Sequence, residues 1–409
     1  MRVELINTGS ELLHGSVLNT HQQWLGQRLA AAGYELNHQQ TVPDAGAAIQ
    51  SAVREAIGRS ELIIVTGGLG PTSDDITRQR ISELLDTPLE EHAKTRESIA
   101  AFFNERNRPM PETVLIQAQV PVGAIVLPNH HGTAPGLAIR TPKGWLIMLP
   151  GPPRELRPMY TDTVVPLLAE KLPPENPINM RTIKTMGIGE SAVEERIASP
   201  MAELLDAGLE IGYCARMGEV DIRLMARESG ASELIDCAEA IAQKHMGDFI
   251  YGRDDDRLEE VIVRELTERG LTLAVAESCT GGFLAHRITN VSGASAVFLV
   301  GHCTYSNEAK REMLGVKTET LAAQGAVSGE VACEMAEGAR ARHGADFALS
   351  TTGIAGPTGG TEGKPIGTVF IALAGSRGTE VINPCNPSDR ETFKHITTQQ
   401  ALDLLRRNV

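Results

Sequence analysis

Ser278 and Lys310 are residue types that together can perform acyl transfer. Ser278 lies in AESCTGG (276 to 282), where a strand gives way to a helix, and Lys310 closes TYSNEAK (304 to 310). A serine hydroxyl needs a base, and no GxSxG elbow with distant His and Asp is present to supply one. Lys310 follows Ser278 by 32 residues, across one strand, which can return it to the same rim of a sheet. If buried there, it would lose part of its preference for the ammonium form and could take the serine proton; the alternative is an ordinary surface lysine. Thr280, Gly281 and Gly282 open the following helix, whose amides suit a phosphate or an oxyanion. Cys279 is the stronger intrinsic nucleophile, but neighbouring side chains diverge and only one of the two can face a site.

A second set lies near the N-terminus. VTGGLGPTSDDIT (65 to 77) follows a buried strand and precedes a helix, so Gly67, Gly68 and Gly70 let backbone amides approach a pyrophosphate, with Thr72 beside them. It is neither a Walker loop nor GxGxxG. Asp74 and Asp75 would repel phosphates unless a divalent cation bridges them; otherwise they cap the next helix. NTGSELLHG (7 to 15), with Glu11, and LPGPPRE (149 to 155), with Glu155, should converge on the same place. Adjacent His130 and His131 rarely serve one ion and are expected in solvent.

These residues need α/β scaffolds. VELIN (3 to 7), ELIIVT (61 to 66) and GWLIML (144 to 149) read as strands, the last two apolar enough for a buried parallel sheet, with helical pattern near 19 to 33, 44 to 58, 74 to 85 and 154 to 171. That predicts a three-layer domain over 1 to 170. After KLPPENP the pattern becomes a smaller α+β unit over 171 to 252: RTIKTMGI and EVDIRLMA are strands, SAVEERIASPMAELL and SELIDCAEAIAQKHM helices. RDDDRLEE (253 to 260) opens a third domain over 253 to 409, with Asp254 to Asp256 suited to the positive end of its first helix. There, strands are expected at LTLAVAES, AVFLVGHCTYS, DFALSTTG and GTVFIALAG, and helices at GEVACEMAEGARARHG and SDRETFKHITTQQALDLLRRN.

The chain has 409 residues, 42% of them hydrophobic, and a net charge of −14, which disfavours direct binding to nucleic acid or anionic membrane. No apolar run is long enough to cross a membrane and MRVELINTGSELLHG lacks signal-peptide character, so a cytoplasmic protein is expected. The six cysteines form no CxxC pair and are expected to be reduced.

In order, AESCTGG, TYSNEAK, GAVS (325 to 328), GIAGPTGG and KPIGTV (364 to 369) resemble the signature segments of the CinA C-terminal domain, the nicotinamide mononucleotide (NMN) deamidase family. The resemblance covers 255 to 409. It implies metal-free and cofactor-free hydrolysis of the NMN carboxamide to nicotinate mononucleotide and ammonia, with Ser278 as nucleophile, Lys310 as base and Tyr305 beside them. Thr352, Gly353 and Ala355 would line the pocket, and Arg390 in PSDRETF would meet the phosphate or the oxyanion.

Residues 1 to 170, including NHHGTAPG (129 to 136), resemble the molybdopterin-cofactor-biosynthesis (MoCF) domain as it occurs in CinA proteins. That likeness implies a metal-dependent ADP-ribose pyrophosphatase, with Asp74 and Asp75 as metal ligands; the alternative is a non-hydrolytic pterin-type binding module. Thr20-His21 stands where that family usually has Asn, and Leu115-Ile116 where it has a basic pair before Gln117-Ala118. The middle unit, with MGIGES (186 to 191), resembles the family's KH-type linker. The resemblance further implies a homodimer, and the family's competence and damage naming leaves open a role through DNA-repair protein partners.

Overall fold

Apolar runs buried on both faces form the central strands of two large sheets. The computed structural model describes residues 1–175, 177–227 and 230–409. It divides into two compact units, Met1–Met180 with Arg227–Gly230, and Arg181–Ala226 with Ala231–Val409.

The first unit is built on a six-stranded mixed sheet in the order Leu36–Val42, Val3–Thr8, Leu62–Thr66, Trp145–Leu149, Gly136–Arg140, Ile125–Leu127. The first four strands run parallel and the last two are antiparallel. Every residue of the strands Val3–Thr8, Leu62–Thr66 and Trp145–Leu149 is buried. Alternation sends Leu62 and Ile64 to one face, against Leu25, Leu29 and Leu156, and Ile63 and Val65 to the other, against Ile49, Val53 and Ile81. Two helical layers therefore enclose the sheet. The helix expected over 154 to 171 is interrupted by a π turn, Tyr160–Val164, between Pro153–Met159 and Val165–Lys171. Pro166 has no N–H to give the preceding turn, which accounts for the altered pattern there.

In the second unit, a small four-stranded sheet has the order Glu210–Arg216, Glu219–Ala226, Asn179–Met186, Ile250–Arg253. SAVEERIASPMAELL is not one helix but two, Glu190–Ile197 and Ala202–Asp206. Pro200 ends the first because its ring disfavours a helical residue before it. The five-stranded sheet follows the order Phe298–Cys303, Leu273–Glu277, Phe347–Gly353, Val369–Gly375, Gly378–Ile382; the first three strands are parallel and the rest antiparallel. Helices Leu258–Arg269 and Arg390–Arg406 cover one face, Gly329–His343 the other.

Asp254 to Asp256 do not supply the first turn of the opening helix, which starts at Leu258 with Glu259 and Glu260 in that turn. Asp254 instead reaches across to the strand Asn179–Met186, accepting from the Thr182 amide at 3.0 Å, while Asp256 accepts from the Arg253 amide at 3.1 Å within the turn that precedes the helix. Short polar side chains such as Asp256 compete for nearby amides in this way. Among the described residues, no helix is long and apolar enough to cross a membrane.

Candidate active sites

In the five-stranded sheet, the parallel register aligns Glu277 with Cys303 and with Thr351, so the segments that follow these three residues emerge at one edge. Such an edge, at the carboxyl ends of parallel strands, is where α/β folds place ligands. The chain leaves Cys303 and enters the helix Asn307–Leu314, capped by Ser306, which turns Lys310 back toward Ser278.

Lys310 is 1% exposed. Its Nζ lies 2.9 Å from Ser278 Oγ, 2.8 Å from the Thr304 carbonyl and 3.3 Å from the Tyr305 carbonyl. A neutral amine has two hydrogens and one lone pair. The two carbonyls can only accept, so in the neutral form they take both hydrogens and leave the lone pair for the serine proton. Burial holds Lys310 below the usual lysine range, which favours that form. Cys279 is turned into the core, 6% exposed, and burial pushes its thiol up to about 12, so it carries no thiolate at neutral pH.

The helix that opens after Gly282 does not offer its first amides to a ligand, contrary to the expectation from AESCTGG. Glu277, 1% exposed, already occupies them. Its carboxylate accepts from Gly282 N at 3.0 Å, Leu284 N at 3.0 Å, Ala285 N at 2.8 Å and the Thr280 hydroxyl at 2.6 Å. An internal carboxylate thus satisfies the positive helix end. Gly281 and Gly282, with φ of 60° and 92°, make the left-handed turn this requires. Among the described residues, the amides of Thr280 and Gly281 have no acceptor.

Arg390, the first residue of the last helix, donates to the Tyr305 hydroxyl at 2.8 Å and to the Gly356 carbonyl at 3.0 Å. It thereby clips the largely exposed Tyr305 to the loop after Gly353. Thr352 is buried and gives its hydroxyl to the Ala326 carbonyl at 2.7 Å, fixing the GAVS segment. A β-carbon on Gly353 would approach the Thr368 carbonyl to 2.7 Å, and Ala355 packs in the core. Sequence reasoning missed Glu277, whose signal was an acid at a strand end before a glycine turn.

The first unit carries a cavity of about 510 Å³ at the corresponding edge of its own sheet. Glu11, Gly67, Gly68, Gly70, Asp74, Asp75 and Glu155 all line it. Thr72 does not; its amide and hydroxyl donate to one oxygen of Asp75 at 3.0 and 2.5 Å. Space explains the glycines: a β-carbon on Gly70 would lie 2.2 Å from Asp75, and one on Gly68 2.0 Å from the Thr77 hydroxyl. Asn129, from NHHGTAPG, donates to Glu155 at 2.8 Å. His130 and His131 are exposed. His21 is buried, bonds the Gly151 carbonyl and is held below the usual histidine range by burial. Two residues not anticipated stand out. Gln117, 1% exposed, lines the cavity with its Oε1 unpartnered, and Arg78, 3% exposed, has an unpartnered Nε.

Among the described residues no set of three His, Cys, Asp or Glu side chains is placed to hold a metal ion. A cation completed by substrate phosphates needs only one or two carboxylates. Asp74 and the second oxygen of Asp75 fit that kind of site.

Residues 255–409 match the family model described as "CinA C-terminal domain", residues 180–252 "Damage-inducible protein CinA KH domain" and residues 4–170 "Probable molybdopterin binding domain". A competence-damage inducible protein of Caldicellulosiruptor saccharolyticus is 44% identical over 412 residues, covering 100% of this chain and 99% of its own. A CinA-like protein of Akkermansia muciniphila is 44% identical over 98% of this chain and 96% of its own. The crystal structure of the competence/damage inducible protein CihA from Agrobacterium tumefaciens aligns at 43% identity and TM-score 0.36, covering 37% of this chain and 92% of that one.

Proposed function

The chain belongs to the CinA family, and we propose that its C-terminal domain hydrolyses the carboxamide of NMN to nicotinate mononucleotide and ammonia. The observation that carries this reading is the 2.9 Å contact between a buried Lys310 amine and the Ser278 hydroxyl, with only carbonyls as the other partners of the amine.

The chemistry follows the order of proton positions. Lys310 takes the Ser278 proton as Oγ attacks the carboxamide carbon, and the carbonyl oxygen becomes an oxyanion that the amides of Thr280 and Gly281 receive. Lys310 then returns the proton to the leaving nitrogen, ammonia departs, and an ester remains on Ser278. Water, deprotonated by Lys310, attacks that ester; Lys310 returns this proton to the Ser278 oxygen as the product leaves as the carboxylic acid, which then gives its own proton to solvent and becomes the carboxylate. No metal is required in this scheme. Hydroxylamine tests the ester directly: it should divert turnover to the hydroxamate at the expense of nicotinate mononucleotide. Unchanged product in its presence would point to direct attack by water.

The direction of the Lys310 shift sets a pH dependence. Only the unprotonated amine is a base, so kcat/KM should rise with pH through the lowered pKa of Lys310 and level off before the ordinary lysine value of about 10.4. A profile that falls as pH rises would contradict a basic role for Lys310.

For the first domain we infer a metal-dependent ADP-ribose pyrophosphatase, in which Asp74 and Asp75 hold a divalent cation and the glycine loop receives the phosphates. When bound, the cation supplies neutralisation of phosphate charge. Asp75→Asn keeps an acceptor for Thr72 and removes the charge, so the turn should survive. ADP-ribose hydrolysis should drop about tenfold or more and recover partly in excess metal, while ammonia release from NMN stays unchanged. AMP formation that persists in chelator would refute the metal role, and absence of hydrolysis with tight pterin binding would favour a binding module.

A further inference from the structure

Lys394 lies one helical turn beyond Arg390 on the same face of the last helix. Its ammonium is 5.7 Å from the Phe283 ring centroid and 3.9 Å from the point where a β-carbon on Gly281 would sit. Among the described residues no carboxylate pairs with it. Arg390 likewise meets only neutral acceptors, the Tyr305 hydroxyl and the Gly356 carbonyl. The acid beside it, Asp389, is spent on the helix end, accepting from the Glu391 and Thr392 amides at 3.0 Å and from the Thr392 hydroxyl.

Two cations four residues apart on a helix repel each other, and this chain has 52 acids against 38 bases from which to draw counter-ions. Neither cation forms an ion pair among the described residues, and Lys394 borders the glycine turn that carries the unfilled amides of Thr280 and Gly281, just past Ser278. An anion held between them would remove the repulsion and gain charge-assisted hydrogen bonds.

We propose that Lys394, with Arg390, binds the phosphate monoester of the substrate and makes the C-terminal site select a mononucleotide over the corresponding nucleoside. The proposal rests on the deamidase reading for its substrate. Lys394 acts on binding and does not touch the reacting amide, so its removal should appear in KM rather than in kcat.

The test uses the full chain and Lys394→Met, which keeps the methylene stem over Phe283 and removes the charge. Wild-type protein should be inhibited by inorganic phosphate competitively with NMN. In Lys394→Met, KM for NMN and the inhibition constant for phosphate should both rise about tenfold, with kcat changed less than about threefold. The preference for NMN over nicotinamide riboside should fall in the same proportion. Lys394→Arg should restore most of that preference. Unchanged KM and unchanged phosphate inhibition in Lys394→Met would overturn the proposal. If wild-type protein releases no ammonia from NMN, the deamidase reading fails, and calorimetric titration with inorganic phosphate still decides the site. Weaker phosphate binding in Lys394→Met than in wild type supports it; equal binding, or none to wild type at millimolar phosphate, refutes it.

Discussion

Ser278→Ala should abolish ammonia release from NMN, lowering kcat by about 10³-fold or more, while the protein folds as before. The change removes one hydroxyl from a half-buried side chain and leaves Lys310 two carbonyl partners. Packing around the site is otherwise untouched, so the melting temperature should barely move. Cys279→Ser provides the counterpart. Cys279 sits in the core with its thiol pushed up to about 12, and its replacement should retain most activity at some cost in stability. The reverse pattern, with a silent serine change and a dead cysteine change, would assign the nucleophile to Cys279.

Lys310→Arg should be nearly as damaging as Lys310→Ala, with about 10³-fold loss in kcat for either. A guanidinium keeps its proton and cannot accept one from Ser278, whatever charge it preserves. Arginine is also larger than the 1%-exposed space that Lys310 fills, so Lys310→Met is the control for packing. It should fold and be equally inactive. Substantial activity in Lys310→Arg would reduce Lys310 to an electrostatic role.

The strands that hold these residues were legible because burial on both faces leaves continuous apolar runs, as in Leu62–Thr66 and Leu273–Glu277. Leu36–Val42 was not recognised. It is an edge strand, LNHQQTV, with most of its side chains partly or fully exposed, and its parallel pairing with Val3–Thr8 depends on a neighbour that local sequence does not name. The strand Gly378–Ile382 escaped for the same reason.

The approach of Ser278 and Lys310 could be suggested by spacing but is fixed by register, which sets Glu277 beside Cys303, and by the Ser306 cap that starts the helix carrying Lys310. Glu277 illustrates what local pattern hides: its carboxylate faces inward to bond amides five, seven and eight residues ahead, and only the turned loop reveals it. The same holds for the join within the second unit. Arg287 binds Glu259 at 2.6 Å and Thr398 at 3.0 Å and also meets Gln399, which in turn donates to Glu219, itself bonded by Tyr251 at 2.9 Å. These partners are up to 180 residues apart, and no periodicity connects them.

The most direct measurement is ammonia release from NMN by the purified full-length protein in excess chelator. Stoichiometric ammonia and nicotinate mononucleotide, undiminished by chelation and absent in Ser278→Ala, are the expected result. Release that stops on chelation, or that survives loss of the Ser278 hydroxyl, would contradict a metal-free serine and lysine site.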